Sequence, residues 1–219
     1  MAFAQTAAAI AWRDVRTELR GRELLPAMAQ FIVLALVVAN FAFDLDAARG
    51  ATLGPGILWM VLVFAGLVAF SRAFAGERDA GSLEAMLLTQ ASHAAILAGK
   101  SMASAIVLGA CALVLLPATA VLLGAPLTPI AFLTVLLAVI GMATLGCLFA
   151  ALTAQVRARE LLLPVLAIPL WVPYVIVGAG VVQRSLAGAV PVEPLVALVY
   201  MDILFLLIAA VAARFVLDD

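Results

Sequence analysis

One acidic residue in an otherwise apolar stretch of the sequence is the first candidate for chemistry. Asp202 lies about one third of the way into a stretch that runs from Pro194 to Val216. Because a charge in hydrocarbon is costly, ionisable side chains inside membrane spans usually have a function. Asp202 would instead lie near the membrane surface if this stretch entered the membrane late. The sequence leaves these two interpretations open.

The other reactive side chains form no catalytic or metal-binding pattern. The single histidine, His93, lies in a polar segment, where we interpret it as a surface residue. Cys111 and Cys147 lie in apolar runs, where small apolar residues pack between helices. The sequence has no pair of histidines and no His-Glu-x-x-His run, so it predicts no catalytic residue and no metal site. Four further side chains that could act as axial ligands of a metal cofactor are interpreted as packing residues: Met142, Met201, Tyr174 and Tyr200.

One short run resembles part of an ATP-binding loop. Gly99-Lys100-Ser101 matches the end of a phosphate-binding loop, but the complete motif begins with a further glycine. Ala94 occupies that position, and a long apolar stretch follows the run. We therefore expect that this chain binds no ATP, is not an enzyme, and would need a second polypeptide for any ATP-driven role.

The composition is that of a membrane protein. Of the 219 residues, 67% are hydrophobic and 11% are charged, whereas soluble domains are about half apolar and about a quarter charged. The net charge of −1 gives no general attraction to nucleic acid. Crossing the ~30 Å of hydrocarbon in a bilayer takes about 20 apolar residues in a helix. Six stretches meet this requirement: 24–43, 53–71, 101–123, 129–152, 161–182 and 194–216. The sequence thus predicts an all-α polytopic protein, with one transmembrane domain over residues 1–219.

The positive charges predict the orientation of these spans. Of the 12 Lys and Arg residues, only Arg49 and Arg184 fall in the segments assigned to the periplasmic side. Because cytoplasmic loops are enriched in Lys and Arg, we expect both termini in the cytoplasm. The residues assigned to that side are Arg13, Arg16, Arg20, Arg22, Arg72, Arg78, Lys100, Arg157, Arg159 and Arg214.

The N-terminal segment from Phe3 to Arg22 reads as an amphipathic helix on the membrane surface rather than a signal peptide, because its positive charges follow the mildly apolar stretch. Its arginines would reach the phosphate headgroups of the lipids. The side chains expected to face lipid are Phe3, Ile10, Val15 and Leu19.

Several residues suit a moving gate or the wall of a cavity. Pro164, Pro169 and Pro173 all fall in span five, where each removes a backbone donor and favours a bend. Trp59 opens span two after a Gly-Pro-Gly run, and Asp202 lies in span six. Ordinary packing also accommodates these prolines, because proline is tolerated in membrane helices.

One polar segment follows span two, and part of it reads as a short helix. Gly81 can end one turn, Ser82 can cap a new helix, and Glu84 then lies in the first turn, where the helix dipole favours a carboxylate. Its apolar face consists of Leu83, Met86 and Leu87. Such a helix suits a groove on a soluble partner or the lipid surface equally well.

The same segment carries a family resemblance. Residues 79–88 resemble the Gly-[Ser/Thr]-Leu-Glu-x-Leu-Leu motif that follows span two in type-2 ABC exporter permeases. More narrowly, the chain resembles the heme exporter B family of cytochrome c maturation, CcmB. Thr89-Gln90-Ala91-Ser92 departs from the Ser-Pro type of stop usual there. Further matching stretches follow in order along most of the chain: residues 13–20, 55–59, 99–100 and 157–164.

The resemblance implies roles for particular residues. Gly81, Ser82, Leu83, Glu84, Met86 and Leu87 would form a coupling helix that docks on an ATPase subunit. Arg157, Arg159 and Glu160 would form a second cytoplasmic contact, although these charges also suit a positive-inside anchor.

The resemblance also implies an assembly in the bacterial inner membrane. The expected partners are an ABC ATPase in two copies, a second copy of this chain and a heme-handling membrane protein. Heme would be the cargo of the complex, or a heme-loaded chaperone would be released by it, and the ATPase would bind the ATP. Two alternatives stay open: a secondary transporter without an ATPase, and a permease of another exporter of the same type with a different substrate.

Overall fold

The computed structural model describes residues 3–21, 24–71, 92–153 and 159–216. Within these ranges the chain is entirely helical apart from short connections. The helices are α1 (Phe3–Gly21), α2 (Leu24–Phe43), α3 (Ala47–Ser71), α4 (His93–Leu123), α5 (Pro129–Thr153), α6 (Arg159–Leu186) and α7 (Val192–Val216). Six of them, α2 to α7, are long and apolar enough to cross a membrane, which confirms the predicted all-α polytopic fold.

The helix boundaries differ from the predicted spans mainly where polar residues extend a helix. The chain before Ser101 was expected to be a polar segment, but α4 already begins at His93. The hydroxyl of Ser92 accepts a hydrogen bond from the backbone N–H of Ala95 and caps α4 there. Similarly, α3 begins at Ala47 rather than near Leu53, and α6 continues past Val182 to Leu186. Hydropathy predicts which residues lie in the hydrocarbon layer of the bilayer, whereas caps and backbone hydrogen bonds decide where a helix ends.

The middle of the bundle is occupied by α5. Its most apolar 18-residue window is 78% buried, against 17% for α7. Small residues on α5 permit this position, because a side chain with little bulk lets neighbouring backbones approach closely. Gly146 is one of them: a Cβ atom there would overlap the ring of Phe70 on α3.

Two reciprocal contacts pair α3 with α6. The indole of Trp59 on α3 lies against Gly178 on α6, while the indole of Trp171 on α6 lies 3.4 Å from the Cβ position of Gly66 on α3. Each helix therefore offers a tryptophan and, two turns further on, a glycine that accommodates its partner's tryptophan. This pattern is possible only if the two helices run antiparallel.

Backbone-level contacts join α2, α3 and α4 at the end of the bundle that lies away from α1. The side-chain amide of Asn40 donates a hydrogen bond to the carbonyl of Leu122. Gly50 packs directly against the carbonyl of Leu123, and Gly124 then ends α4 in a left-handed conformation with φ 66°. Because these contacts involve backbone atoms, they leave little freedom for the three helices to slide.

The two cations that the sequence analysis assigned to the periplasmic side lie at one end of the bundle. The antiparallel pairing of α3 and α6 places Arg49, near the start of α3, and Arg184, in the last turn of α6, at the same end. The other end carries α1 and the start of α4. Which end faces the cytoplasm stays a prediction.

The N-terminal segment is a helix, and one of its predicted lipid-facing residues is placed differently. Phe3 and Leu19 are exposed, as expected for side chains that meet lipid. Ile10 instead lies against α4, with its Cβ 2.8 Å from the Cβ position of Gly99. The prediction for Ile10 is therefore wrong, because the hydrophobic pattern of α1 marks the side that packs on the bundle as well as a lipid-facing side.

The contact at Gly50 leads to a stability prediction. We expect Gly50→Ala to lower the free energy of unfolding by about 1–3 kcal/mol, because the new methyl group would overlap a backbone carbonyl that cannot rotate away. The matched control is Gly56→Ala in the same helix, where a Cβ meets nothing within 4 Å. The melting temperatures of the two variants, purified in the same detergent, check this, and equal values would contradict it.

Candidate functional site

The acidic residue in the last span is paired in the interior. Asp202 is 6% exposed, and its Oδ1 accepts a hydrogen bond of 2.7 Å from the hydroxyl of Tyr174 on α6. Asp202 lies about 15 Å along α7 from the first residue of that helix, which is mid-span rather than at a boundary. A hydrogen bond to a buried carboxyl group offsets part of the cost of placing it in an apolar environment.

A glycine makes room for this pair. A Cβ atom on Gly141 of α5 would overlap both the Tyr174 hydroxyl and Asp202 Oδ1. Phe205, one turn after Asp202, packs against Tyr174 with ring centroids 6.0 Å apart. The polar pair therefore lies where α5, α6 and α7 meet, and each of these helices contributes an atom to its immediate surroundings.

Two buried tryptophans lie between α3 and α6. Trp59 and Trp171 are both completely buried, and the indole N–H of each lacks an acceptor among the described residues. Trp171 also makes an edge contact with Phe70, with ring centroids 5.5 Å apart. A buried donor without an acceptor costs free energy, so these two N–H groups are polar points in an otherwise apolar interface.

The structure does not bring the predicted gate residues together. Trp59 and Asp202 are interior. Pro169 and Pro173 lie on the exposed side of α6, and Pro164 is half-buried. The prolines do not break the helix, since α6 is continuous from Arg159 to Leu186. They therefore do not line an interior surface with Trp59 and Asp202, although each still removes a backbone hydrogen bond from the helix.

Sequence reasoning missed the partner of Asp202. Tyr174 was interpreted as a packing residue, and nothing in a single sequence links positions on two different spans. The sequence of α6 gave a partial indication that Tyr174 faces the interior. Trp171 and Tyr174 both lie on the buried side of this helix, whereas Pro169 and Pro173 lie on its exposed side. The spacing of one helical turn between these two aromatic residues indicates a shared face.

The predicted ATPase-contacting residues lie largely outside the described part of the chain. This applies to Gly81, Ser82, Leu83, Glu84, Met86, Leu87 and Arg157. Arg159 and Glu160 begin α6, but the positions of their side chains are also outside the description. The described helix ends that flank these segments lie at the end of the bundle that carries α1; they are Ser71, His93, Thr153 and Arg159. The roles of these residues stay predictions.

The run that resembled a phosphate-binding loop is part of a helix. Lys100 and Ser101 lie in the second and third turns of α4, and both are buried. Lys100 Nζ lies 3.0 Å from Asp14 Oδ2 on α1. A loop that cradles phosphate must present its backbone N–H groups, which a helix interior cannot do.

The described residues include no group of three His, Cys, Asp or Glu side chains close enough to hold a metal ion. Cys111 lies 3.7 Å from the sulfur of Met28. Cys147 donates to the hydroxyl of Ser104 at 3.2 Å. Both cysteines thus pack between helices, and the second also makes a polar contact. Each cysteine contact therefore joins two neighbouring helices.

Comparison with known proteins identifies relatives along nearly the whole chain. The chain is 31% identical to heme exporter protein B of Pseudomonas aeruginosa over 161 residues, which cover 72% of each chain. It is 31% identical to heme exporter protein B of Rhodobacter capsulatus over 185 residues, 84% of this chain and 85% of the relative. For heme exporter protein B of Paracoccus denitrificans the identity is 31% over 203 residues, 92% and 93% of the two chains.

A family model also matches this chain over nearly its whole length. The model described as CcmB protein matches residues 5–218, which include most of α1 and all six spans. The match begins within α1 and ends after α7, so it covers the elements that form the bundle. This chain belongs to the CcmB protein family.

Proposed function

We propose that this chain is the membrane subunit of an ABC transporter complex that acts on heme in the biogenesis of c-type cytochromes. The observation that supports this most is the family match over residues 5–218, together with relatives named heme exporter protein B. Six apolar helices in one bundle fit a multi-pass protein of the inner membrane. The chain would be a non-catalytic permease, and the reaction that drives it would take place on another subunit.

The ATPase would dock on the segment between α3 and α4. Ser82 and Glu84 suit the start of a helix there, and its apolar face would carry Leu83, Met86 and Leu87. Glu84 would be available to a basic residue of the ATPase. Arg157, Arg159 and Glu160 would form the second contact, a role supported by the position of Thr153 and Arg159, the described ends of α5 and α6, at the same end of the bundle as Ser71 and His93.

The complex would contain further membrane proteins. An ABC transporter needs two ATPase subunits and two membrane halves. We take the second half to be another copy of this chain, with a heme-handling membrane protein of the same system bound alongside. The orientation rule places the ATPase side, and both termini, in the cytoplasm. Heme would be the cargo, or the complex would use ATP to release a heme-loaded chaperone on the opposite side.

The experiment that tests the proposal is affinity purification of the tagged chain from native membranes. Mass spectrometry would identify the proteins recovered, and differently tagged copies would report whether two chains share one complex. An ATP-binding subunit together with heme-handling proteins is the expected result. Recovery of an ATPase with unrelated partners would support the permease assignment but contradict a role in heme transport. Recovery of the chain alone would contradict the permease assignment.

A secondary transporter is the second candidate, and one observation favours it. Such transporters place ionisable residues near mid-membrane to carry the coupling ion. Asp202 is an ionisable residue at that depth. Its hydrogen bond to Tyr174, together with the close fit around Gly141, favours a fixed structural contact instead. In the permease, this contact would hold α7 against α6 while the complex changes shape.

The docking segment yields a prediction with a matched control. We expect Leu83→Asp combined with Leu87→Asp to reduce ATPase recovery and cytochrome c maturation about tenfold or more, because charges would enter an apolar groove. The control is Ala85→Asp combined with Thr89→Asp, which has the same spacing on the opposite face of the predicted helix. Co-purified ATPase and heme-stained cytochromes c are the measurements. Full recovery and maturation in the Leu83 and Leu87 variant would contradict the docking proposal.

The Tyr174–Asp202 contact separates the two candidate functions. The permease predicts that Asp202→Asn largely preserves cytochrome c maturation, because the amide oxygen still accepts a hydrogen bond from Tyr174. Proton-dependent uptake that Asp202→Asn abolishes would instead establish the secondary transporter.

The same contact predicts a loss of stability. Tyr174→Phe should lower the free energy of unfolding by about 1–3 kcal/mol, because it leaves a buried carboxyl group without its donor. Tyr200→Phe, at an exposed tyrosine of α7, is the control.

A further inference from the structure

A buried ion pair fixes the N-terminal helix to the bundle. Lys100 on α4 is 2% exposed, and its Nζ lies 3.0 Å from Oδ2 of Asp14 on α1. The other carboxylate oxygen of Asp14 accepts from the Nε and Nη2 atoms of Arg13 at 2.9 and 2.7 Å. One carboxylate is thus shared between a cation of its own helix and a cation of the helix beneath it, which fixes α1 along its axis and around it.

Close packing surrounds this pair. The Cβ position of Gly99 lies 2.7 Å from the carbonyl oxygen of Ala7 and 2.8 Å from Cβ of Ile10. Ala7 and Ala11 are buried on the same face of α1. Small residues on both helices therefore let the backbone of α1 lie directly on α4, and the ion pair closes the same contact one turn further along α1.

The polar contact continues into the centre of the bundle. Ser104 lies one turn after Lys100 on α4, on the same face, and accepts a hydrogen bond of 3.2 Å from the thiol of Cys147 on α5. One turn after Asp14 on the same face of α1, the Glu18 carboxylate accepts a hydrogen bond of 3.2 Å from the backbone N–H of Leu24, at the start of α2. The N-terminal helix is therefore joined to α4 and α2, and through α4 to α5.

The main effect of the ion pair is to fix how α1 lies on α4, and its net contribution to the free energy of unfolding is small. Buried ion pairs contribute little net stability, because the cost of removing both charges from water offsets their attraction. Their better-supported role is to fix one arrangement of the elements that carry them. Here the fixed element is the start of α4, only about 10 Å along the helix from His93, where residues 72–91 lead into it.

We propose that the Asp14–Lys100 ion pair is a positioning site that makes α1 and the start of α4 move as one body. This proposal rests on the proposed function, because the load it transmits is the docking of the ATPase on residues 72–91. A displacement of that segment would pull on the first turns of α4. With α1 attached, the displacement reaches α2 through Glu18 and α5 through Ser104. Without the ion pair, α4 would move while α1 stays behind.

The test uses the full chain in its complex. Lys100→Met and Asp14→Asn each remove one charge, and Asp14→Lys combined with Lys100→Glu restores the pair with its charges exchanged. Three quantities are measured: the chain present in membranes, the ATPase recovered with it, and mature cytochromes c. Asp44→Asn, at a fully exposed acid at the opposite end of the bundle, is the control.

We expect Lys100→Met, which leaves Asp14 paired with Arg13, to keep membrane level and ATPase recovery within about twofold while cytochrome c falls about tenfold. Asp14→Asn takes the carboxylate away from a buried cation, so we expect it to lower the membrane level as well as cytochrome c. The exchanged pair should regain most of the loss, and Asp44→Asn should match the unaltered chain. Full cytochrome c levels in both single variants would overturn the proposal. So would an exchanged pair that is present in membranes at the normal level but matures no more cytochrome c than the single variants.

A second measurement uses Lys100→Met alone, so it stands if Asp14→Asn fails to accumulate, and it does not depend on the ATPase. Ala11→Cys places a thiol on the buried face of α1, in a chain that also carries Cys111→Ala and Cys147→Ser. Docked α1 protects this thiol from a maleimide, and Lys100→Met should speed its labelling about tenfold in purified protein. Ala9→Cys, on the exposed face, should react equally fast with and without Lys100→Met.

Unchanged protection of the thiol at position 11 in the Lys100→Met variant would overturn the proposal, since α1 would then be held by other contacts. A preparation of the unaltered chain that contains no ATPase would overturn the proposed function instead. In that case the labelling result still decides whether the ion pair holds α1 on α4.

Discussion

The bundle depends on one constraint: α5 must lie in the middle of five other spans without forcing them apart. Lipid tails are as apolar as the side chains, so little hydrophobic driving force holds helices together, and close packing must do so instead. Gly146 lets the ring of Phe70 approach the α5 backbone, and Gly141 does the same for Tyr174 and Asp202. A larger side chain at either position would separate α5 from α3 or from α6 and α7. The close approach of α3, α6 and α7 to α5 therefore depends on these two glycines.

Polar contacts add specificity to this packing. Three examples between side chains of different helices are Tyr174 with Asp202, Cys147 with Ser104, and Lys100 with Asp14. Each joins a different pair of helices. In an apolar environment a polar side chain that loses its partner has no water to replace it, so each contact strongly favours a single register between its two helices. Packing of small residues alone would permit neighbouring registers.

The sequence was sufficient for the span count and for the helical class because both follow from hydropathy over about 20 residues. Arg49 and Arg184, the two cations that it assigned to the periplasmic side, do lie at the same end of the bundle. The sequence could not identify the partner of Asp202 or place Lys100 inside α4. Tyr174 and Asp14 are distant in the chain from their partners, and a polar residue near a span boundary reads equally well as loop or helix. The sequence also could not show which side of α1 packs on the bundle. An apolar residue such as Ile10 suits contact with lipid and contact with Gly99 of α4 equally well.

The distribution of contacts limits how this bundle can change shape. At the end away from α1, backbone atoms of α2, α3 and α4 are in direct contact through Asn40, Gly50 and Leu123. Relative movement of these three helices there would have to break backbone-level packing. In contrast, α7 is the least buried span, and Asp202 is its hydrogen-bonded interior side chain. A shape change that starts at the α1 end would therefore be taken up most easily by α7. Because the Tyr174–Asp202 hydrogen bond connects α7 to α6, that movement must either carry α6 along or break the bond.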